Sequence, residues 1–404
     1  MRISLENIRE KREKRESVFL VTGATGFLGS HTAVELLKKG YRVILIIRPD
    51  GKRSAVERIG IVFKWFGILI NNFKDKITII EGELKKKNLG IDKKTYSYLS
   101  SEIDEIIHCA GETSFSEKKR KDLESTNIEI LENLTKLIDS PGSNCSFFHH
   151  ISTVYVAGKV SGTIRERITN TSDFNNPYEE TKYLGEKYIS EKTTELGVHL
   201  NIYRPSIVYG HSETGRSTIF NAVYYPVKMA LFLRDTYLND IRNKNGIKAA
   251  QMGVSEDKEG VVLLPIRIEK KEGGEINLIP IDFYIDSFMA ILENGVEPGI
   301  FHIVNNSPNS LEDITSFFST EFKVKGFHST SPEEFKTDPP NALDIMFGEY
   351  LKMYSPYIKD IRKFDDQRTR KILDKLNIHC PRFDQETFSK CMNYAVSVNW
   401  KKPW

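Results

Sequence analysis

Residues 18–29 read VFLVTGATGFLG, and this stretch decides the fold. Val18 to Val21 is a continuous apolar run of strand length without alternation, the pattern of a strand covered on both faces. A turn follows with glycines at three-residue intervals, Gly23, Gly26 and Gly29. Glycine permits the tight turn, lets backbone N–H groups approach a pyrophosphate, and allows close packing of helix on strand. Gly23, Gly26 and Gly29 are therefore expected around the phosphates of a dinucleotide. The helical segment His31 to Lys39 ends at Gly40, and Arg42 to Ile47 forms a second apolar strand. Strand, glycine turn, helix and strand at this spacing predict a nucleotide-binding βαβ unit.

The residue after the second strand distinguishes the two nicotinamide cofactors. An acid there accepts from the ribose 2′-OH, whereas a cation meets a 2′-phosphate. Here it is Arg48, with Arg53 close behind, which favours NADPH (NADP+) over NAD(H). Asp50 is the acid that a different loop path would bring to the ribose.

Further along, Ile77–Glu81, Glu105–Cys109, Phe147–Ser152 and His199–Arg204 read as strands separated by helical stretches, notably 124–139 and 178–196. The alternation predicts an α/β fold, a Rossmann-type doubly wound parallel sheet. Beyond Gly210 the rhythm changes to helical and aromatic-rich sequence, with a strand-like segment near 261–268 and an irregular, helical last hundred residues. The predicted organisation is a charged tail over 1–16, an NADP-binding domain over 17–210 to which segments of 276–305 return, and a smaller, mostly helical C-terminal substrate lobe with a helical extension over 211–404.

A net charge of +3 is too small to imply nucleic-acid binding. Cys109, Cys145, Cys380 and Cys391 lie far apart without CxxC spacing, which suits reduced thiols and no metal site. The apolar runs fall short of the ~20 residues needed to cross a bilayer, and the start of the chain lacks the apolar core of a signal peptide. A cytoplasmic location is expected. Residues 5–16, LENIREKREKRE, read as a solvated helical or frayed tail, capable at most of weak membrane-surface contact.

A Tyr-x-x-x-Lys pair puts a phenol and an ammonium on one helix face, where the ammonium lowers the tyrosine pKa for proton exchange with a substrate oxygen. The spacing occurs at Tyr155/Lys159, Tyr178/Lys182, Tyr183/Lys187, Tyr188/Lys192 and Tyr224/Lys228, so context must choose. Tyr178 follows Asn-Pro, a helix start, and lies one connection beyond a strand that ends in Ser152-Thr153. Ligands of open α/β sheets bind outside the carboxyl ends of strands, which selects Tyr178/Lys182.

With these residues in place the chain resembles an extended short-chain dehydrogenase/reductase, and more narrowly the thioester-reductase and fatty-acyl-CoA-reductase branch. The resemblance runs through VTGATGFLG, IIRPD, EGELKKKNLGI (81–91), IIHCAGETSF (106–115), STNIEILENL (125–134), ISTVYVAG (151–158), NPYEETKYLGEK (176–187) and YRPSIVYGHSETG (203–215). It implies that Thr153 bonds the substrate carbonyl, Tyr178 donates the proton, Lys182 tunes Tyr178 and holds the nicotinamide ribose, and Asn127 orders the proton path. By the same resemblance Thr25, Phe27 and Leu28 of the turn, Glu83 and Leu84, Ala110 and Gly111, and Pro205, Ser206 and Ile207 join the cofactor site. Glu83 stands where the family usually has aspartate, and Ala110-Gly111 where it usually has two alanines. Thr113, Phe115, Tyr155 and Tyr209 fall to the substrate. Phe220 and Tyr224, with their apolar neighbours over 211–240, read either as an acyl-chain channel or as an ordinary core stripe. The implied reaction is NADPH-dependent reduction of an acyl-CoA or acyl-carrier-protein thioester to aldehyde, with the alcohol, lipid metabolism and a homodimer left open. Two alternatives remain: a nucleotide-sugar epimerase, dehydratase or reductase, and a non-catalytic NADP-binding sensor.

Overall fold

The computed structural model describes residues 4–295 and 297–404. In chain order the main elements are α1 (Leu5–Glu13), β1 (Val18–Thr22), α2 (Phe27–Lys38), β2 (Arg42–Ile47), α3 (Ala55–Trp65), β3 (Ile77–Glu81), α4 (Lys93–Glu102) and β4 (Glu105–His108). They continue with α5 (Ile130–Ile138), β5 (Phe147–Ile151), α6 (Pro177–Glu195), β6 (His199–Pro205), α7 (Tyr224–Asn243), α8 (Ile281–Asn294) and β7 (Ile300–Ile303). The seven strands form one parallel sheet in the order β7-β6-β5-β4-β1-β2-β3. Strand order reverses at β1/β4, which makes the carboxyl ends of those strands the crevice for a ligand.

Side chains alternate between two covered faces. Phe19, Val21, Val43, Leu45 and Ile107 pack beneath α2, α3 and α8, whereas Val18, Leu20, Ile44, Ile46 and Ile106 pack beneath α4, α5 and α6. Burial on both sides accounts for the unbroken apolar runs of the sequence. The strands lie within a residue or two of the expected ones, and α2 begins at Phe27 because the glycine turn feeds straight into it.

Outside this sheet, a second core gathers around α7, the helix Leu311–Phe322, the helix Gln385–Ser397 and a small sheet of Ser255–Glu256, Val262–Glu269 and Val324–Thr330. The last of these strands breaks the expectation of a wholly irregular and helical final hundred residues. Its buried residues, Val324, Phe327 and Thr330, fall at every third position, so the sequence offered no period-two signal.

The charged run at 5–16 departs from the solvated tail expected of it. Arg12 is buried on the sheet, its Nε donating to Glu105 Oε1 at 2.9 Å and its Nη1 to Leu292 O at 2.6 Å. Ile8 is buried beside it, and Lys11 pairs with Asp104 at 2.6 Å. A run of mixed charge looks solvated until a matching acid is found far along the chain.

Candidate active site

The glycine turn fits a dinucleotide by its donors. Ser54 caps α3 and Asn176 caps α6, but Gly26 at the start of α2 brings no side-chain acceptor, and the first turn of α2 holds no acid. The first N–H groups of α2 therefore face outward without a capping side chain, an arrangement suited to an anion. Close packing keeps them there. A Cβ at Gly29 would lie 2.4 Å from Gly23 O, and one at Gly23 would lie 2.6 Å from Ala110 N.

Arg48 is largely exposed at the end of β2, its Nη1 3.3 Å from Glu83 Oε1. Asp50 is occupied within its own loop, accepting from Lys52 N, Arg53 N and the Arg53 guanidinium at 2.7–3.1 Å. Arg48 thus keeps its guanidinium largely in solvent, whereas Asp50 is committed to its own loop. Leu84 O accepts from Asn133 Nδ2, and Ala110 N donates to Thr22 Oγ1.

Of the five Tyr-Lys pairs, one stands at the sheet edge. Lys182 is buried, and its Nζ donates to Ile151 O at 2.6 Å, at the carboxyl end of β5. Thr153, also buried, hydrogen-bonds the Tyr178 hydroxyl one turn before Lys182. The other pairs are engaged elsewhere. Lys159 bridges to Asp173, Lys187 lies over the Tyr183 ring, the Tyr188 hydroxyl meets Thr135, and the Tyr224 hydroxyl accepts from Gly210 N.

Asn127 sits on a π-helical turn, Ser125–Glu129, just before α5. Its Oδ1 accepts from Glu112 N at 3.0 Å, and its Nδ2 donates to Thr181 Oγ1 at 3.0 Å. A Cβ at Gly111 would come within 3.3 Å of Asn127 Oδ1 and 3.9 Å of Lys182 Nζ, so Gly111 marks where the asparagine and lysine converge. Pro205 O accepts from Thr153 Oγ1 at 3.4 Å, and Ser206 and Ile207 follow directly. Thr113 is exposed on the loop after β4.

Burial governs the titration here. It pushes the Tyr178 phenol up to about 12, with the Thr153 hydrogen bond opposing only in part. Burial likewise lowers the Lys182 ammonium to about 8, although the Glu186 carboxylate holds it up. The phenol is thus protonated at neutral pH, whereas the motif alone predicted a lowered pKa. The ammonium bonds a backbone carbonyl and is not among the groups that shift the phenol, so desolvation decides.

Sequence reasoning missed the cover of this site. Tyr357 donates to Glu179 Oε1 at 2.7 Å and accepts from Asn176 Nδ2 at 2.6 Å, clamping the start of α6 beside Tyr178. Phe115 packs between Tyr178 and Tyr357, with ring centroids 6.0 and 5.2 Å away, and Tyr155 meets the Tyr357 ring edge-on. No motif surrounds Tyr357, so no local signal pointed to it. Behind Tyr357 lies an apolar cavity of about 70 Å³ lined by Ile207, Val223, Pro226, Val227, Phe318 and Tyr354 among others. Tyr209, Phe220 and Tyr224 are not in its lining; they pack in the second core against Phe383, Tyr394 and Trp400. Among the described residues, no helix is long and apolar enough to cross a membrane.

The family model described as male sterility protein, an NAD-binding family, matches residues 21–287, more than half of the chain. The chain belongs to this family. With it the chain falls among the NAD(P)-dependent oxidoreductases of the extended short-chain type. It is similar to the hybrid PKS-NRPS synthetase fsa1 of Fusarium sp. (strain FN080326), 28% identical over 202 residues, which are 50% of this chain and 5% of the synthetase. The chain thus spans a small part of that curated relative. Its fold matches the terminal R domain from the myxalamid PKS-NRPS biosynthetic pathway, with a TM-score of 0.70, 19% identity, and coverage of 96% of this chain and 92% of that one. It also matches a UDP-glucuronic acid 4-epimerase from Bacillus cereus in complex with NAD, with a TM-score of 0.59, 18% identity, and coverage of 94% and 97%. At such identities the two structures share the fold, and fold alone does not choose a substrate.

Proposed function

We propose that this member of the family reduces an acyl thioester, carried on coenzyme A or an acyl-carrier protein, to the aldehyde with NADPH. The observation that carries the reading is the convergence of Thr153, protonated Tyr178 and buried Lys182, with an apolar cavity on the other side of the Tyr357 cover. A sugar nucleotide needs hydrogen-bonding partners for its hydroxyls, and the lining of that cavity supplies almost none. The terminal R domain among the structural matches is compatible with a carrier-bound thioester.

NADPH, when bound, supplies the hydride. The residues of the chain do the rest. The uncapped N–H groups of α2 hold the pyrophosphate, and Arg48 exchanges Glu83 for the 2′-phosphate. Thr153 and Tyr178 hydrogen-bond the thioester carbonyl and stabilise the oxyanion as it forms. Tyr178 then gives its proton to that oxygen, and Lys182, backed by Asn127, supports recharging of the phenol. Collapse of the hemithioacetal breaks the C–S bond and releases the thiol. The balance is thioester, NADPH and one proton to aldehyde, thiol and NADP+.

The test is NADPH oxidation with acyl-CoA and acyl-carrier-protein thioesters set against nucleotide sugars. Turnover of thioesters is expected, and Tyr178→Phe should lower kcat by about 10²–10⁴-fold while Tyr183→Phe leaves it near normal. Turnover confined to nucleotide sugars would overturn the reading.

A further inference from the structure

Lys402 and Trp404 lie far from the glycine turn in sequence, yet both donate to Thr25 O, Lys402 Nζ at 2.9 Å and Trp404 Nε1 at 3.1 Å. The contact is anchored by packing as well as by hydrogen bonds. Trp404 stands edge-on to Trp65 at the end of α3, with ring centroids 5.7 Å apart. The segment therefore straps the nucleotide turn to the helix that follows β2.

The charge it brings is the informative part. Among the described residues Lys402 has no carboxylate in ion-pairing range, and its one charged neighbour of consequence is another cation, Arg58. Arg58 in turn hydrogen-bonds Arg48 O and lies 3.8 Å from Asp50, an acid already committed to Arg53. Burial, and then Arg58, hold the Lys402 ammonium below its usual range. Two cations drawn together without a shared counter-ion repel, and an anion between them relieves the repulsion. The gap they border lies between the phosphate-binding turn and the residue after β2, where the adenosine 2′-position falls in this fold.

We propose that Lys402, held over the turn by the Trp404 anchor, is a ligand to the 2′-phosphate of NADPH and a determinant of its choice over NADH. The proposal rests on the cofactor reading given above and assigns a role to a segment that carries no motif. It also makes the cofactor site depend on residues from both ends of the described chain, so that the phosphate would bridge the strap, α3 and the loop after β2.

Binding of NADPH and of NADH to the full chain, followed by nicotinamide fluorescence without substrate, tests it. Lys402→Gln should weaken NADPH about tenfold and leave NADH within twofold, and Lys402→Arg should restore NADPH. Trp404→Ala should weaken NADPH in the same direction through loss of the anchor. An unchanged NADPH affinity in Lys402→Gln overturns the proposal. Equal weakening of both nucleotides also overturns it, since Lys402 would then only brace the turn. If the unsubstituted chain prefers NADH, the cofactor reading itself fails, and that result is read before any variant is made.

Discussion

On one face of the sheet Arg12 meets Glu105, and on the other Arg204 meets Glu186, each guanidinium Nε lying 2.9 Å from a carboxylate oxygen. Both pairs are almost fully buried, and each has a histidine within 3.3 Å of the arginine, His149 for the first and His302 for the second. Their neighbours differ. Arg12 comes from α1 and ties that helix to β4, away from the cofactor crevice. Glu186 lies one turn along α6 from Lys182, and its carboxylate holds up the lysine ammonium against burial. Equal burial and equal geometry therefore serve two ends, attachment of an element in one case and the charge state of the buried lysine one turn from Tyr178 in the other.

Removing one arginine at a time should break this comparison most sharply. Arg12→Met and Arg204→Met each strand a buried carboxylate and should cost about 3–5 kcal/mol in denaturant unfolding. Only Arg204→Met should also lower kcat per folded molecule, because Glu186 loses the partner that positions it beneath Lys182. Equal kcat in the two variants would erase the distinction.

Acid should find the first pair next. Burial raises the Glu105 pKa, but the Arg12 guanidinium, together with hydrogen bonds from His149 and Arg12, outweighs it and holds the carboxyl at about 2 against 4.5 for the free group. A depressed carboxyl stabilises the fold above its unfolded pKa, and the contribution is lost as pH falls from about 4.5 towards 2. The loss should be about 3 kcal/mol, and Glu105→Gln should flatten that part of a stability–pH curve.

The smallest effect should be the most specific. As pH rises through about 8, Lys182 loses its proton and kcat should fall. Glu186→Gln removes the nearby carboxylate and should move this alkaline limb down by up to about one pH unit, or ~1.4 kcal/mol. Glu105→Gln should leave the limb where it is. A limb that moves equally in both variants would mean that the sheet responds as a whole.

What could be read in advance follows from the range of the interactions. The glycine turn and the strand beyond it announce themselves within thirty residues, because strand, turn and helix are local decisions. Tyr178 was separable from four similar pairs by its Asn-Pro helix start and its distance from Ser152-Thr153, which is local information again. Arg12 was not legible, since the acid that buries it lies on β4, 93 residues away. Nor was Tyr357, whose partners Asn176 and Glu179 stand 181 and 178 residues earlier in the chain. The aromatic stretch at 211–240 shows the ambiguity most plainly. Tyr224 and Leu231 face the core, Phe232 faces solvent, and it is Val223, Pro226 and Val227 that reach the cavity. An amphipathic stripe tells which face is apolar but not whether that face meets protein or ligand.

The π turn at Ser125–Glu129 is, in helical terms, one residue too many: its hydrogen bonds span five residues where the turns on either side span four. Shortening the chain there by a single residue would heal the helix and turn Asn127 about 100° relative to α5. The repaired helix would gain regular hydrogen bonding while Glu112 and Thr181 lost their partner. The aim of the asparagine is thus written in the local phase of a helix, so that a one-residue deletion, harmless to the fold by its own accounting, would dismantle the junction between α6 and the loop after β4.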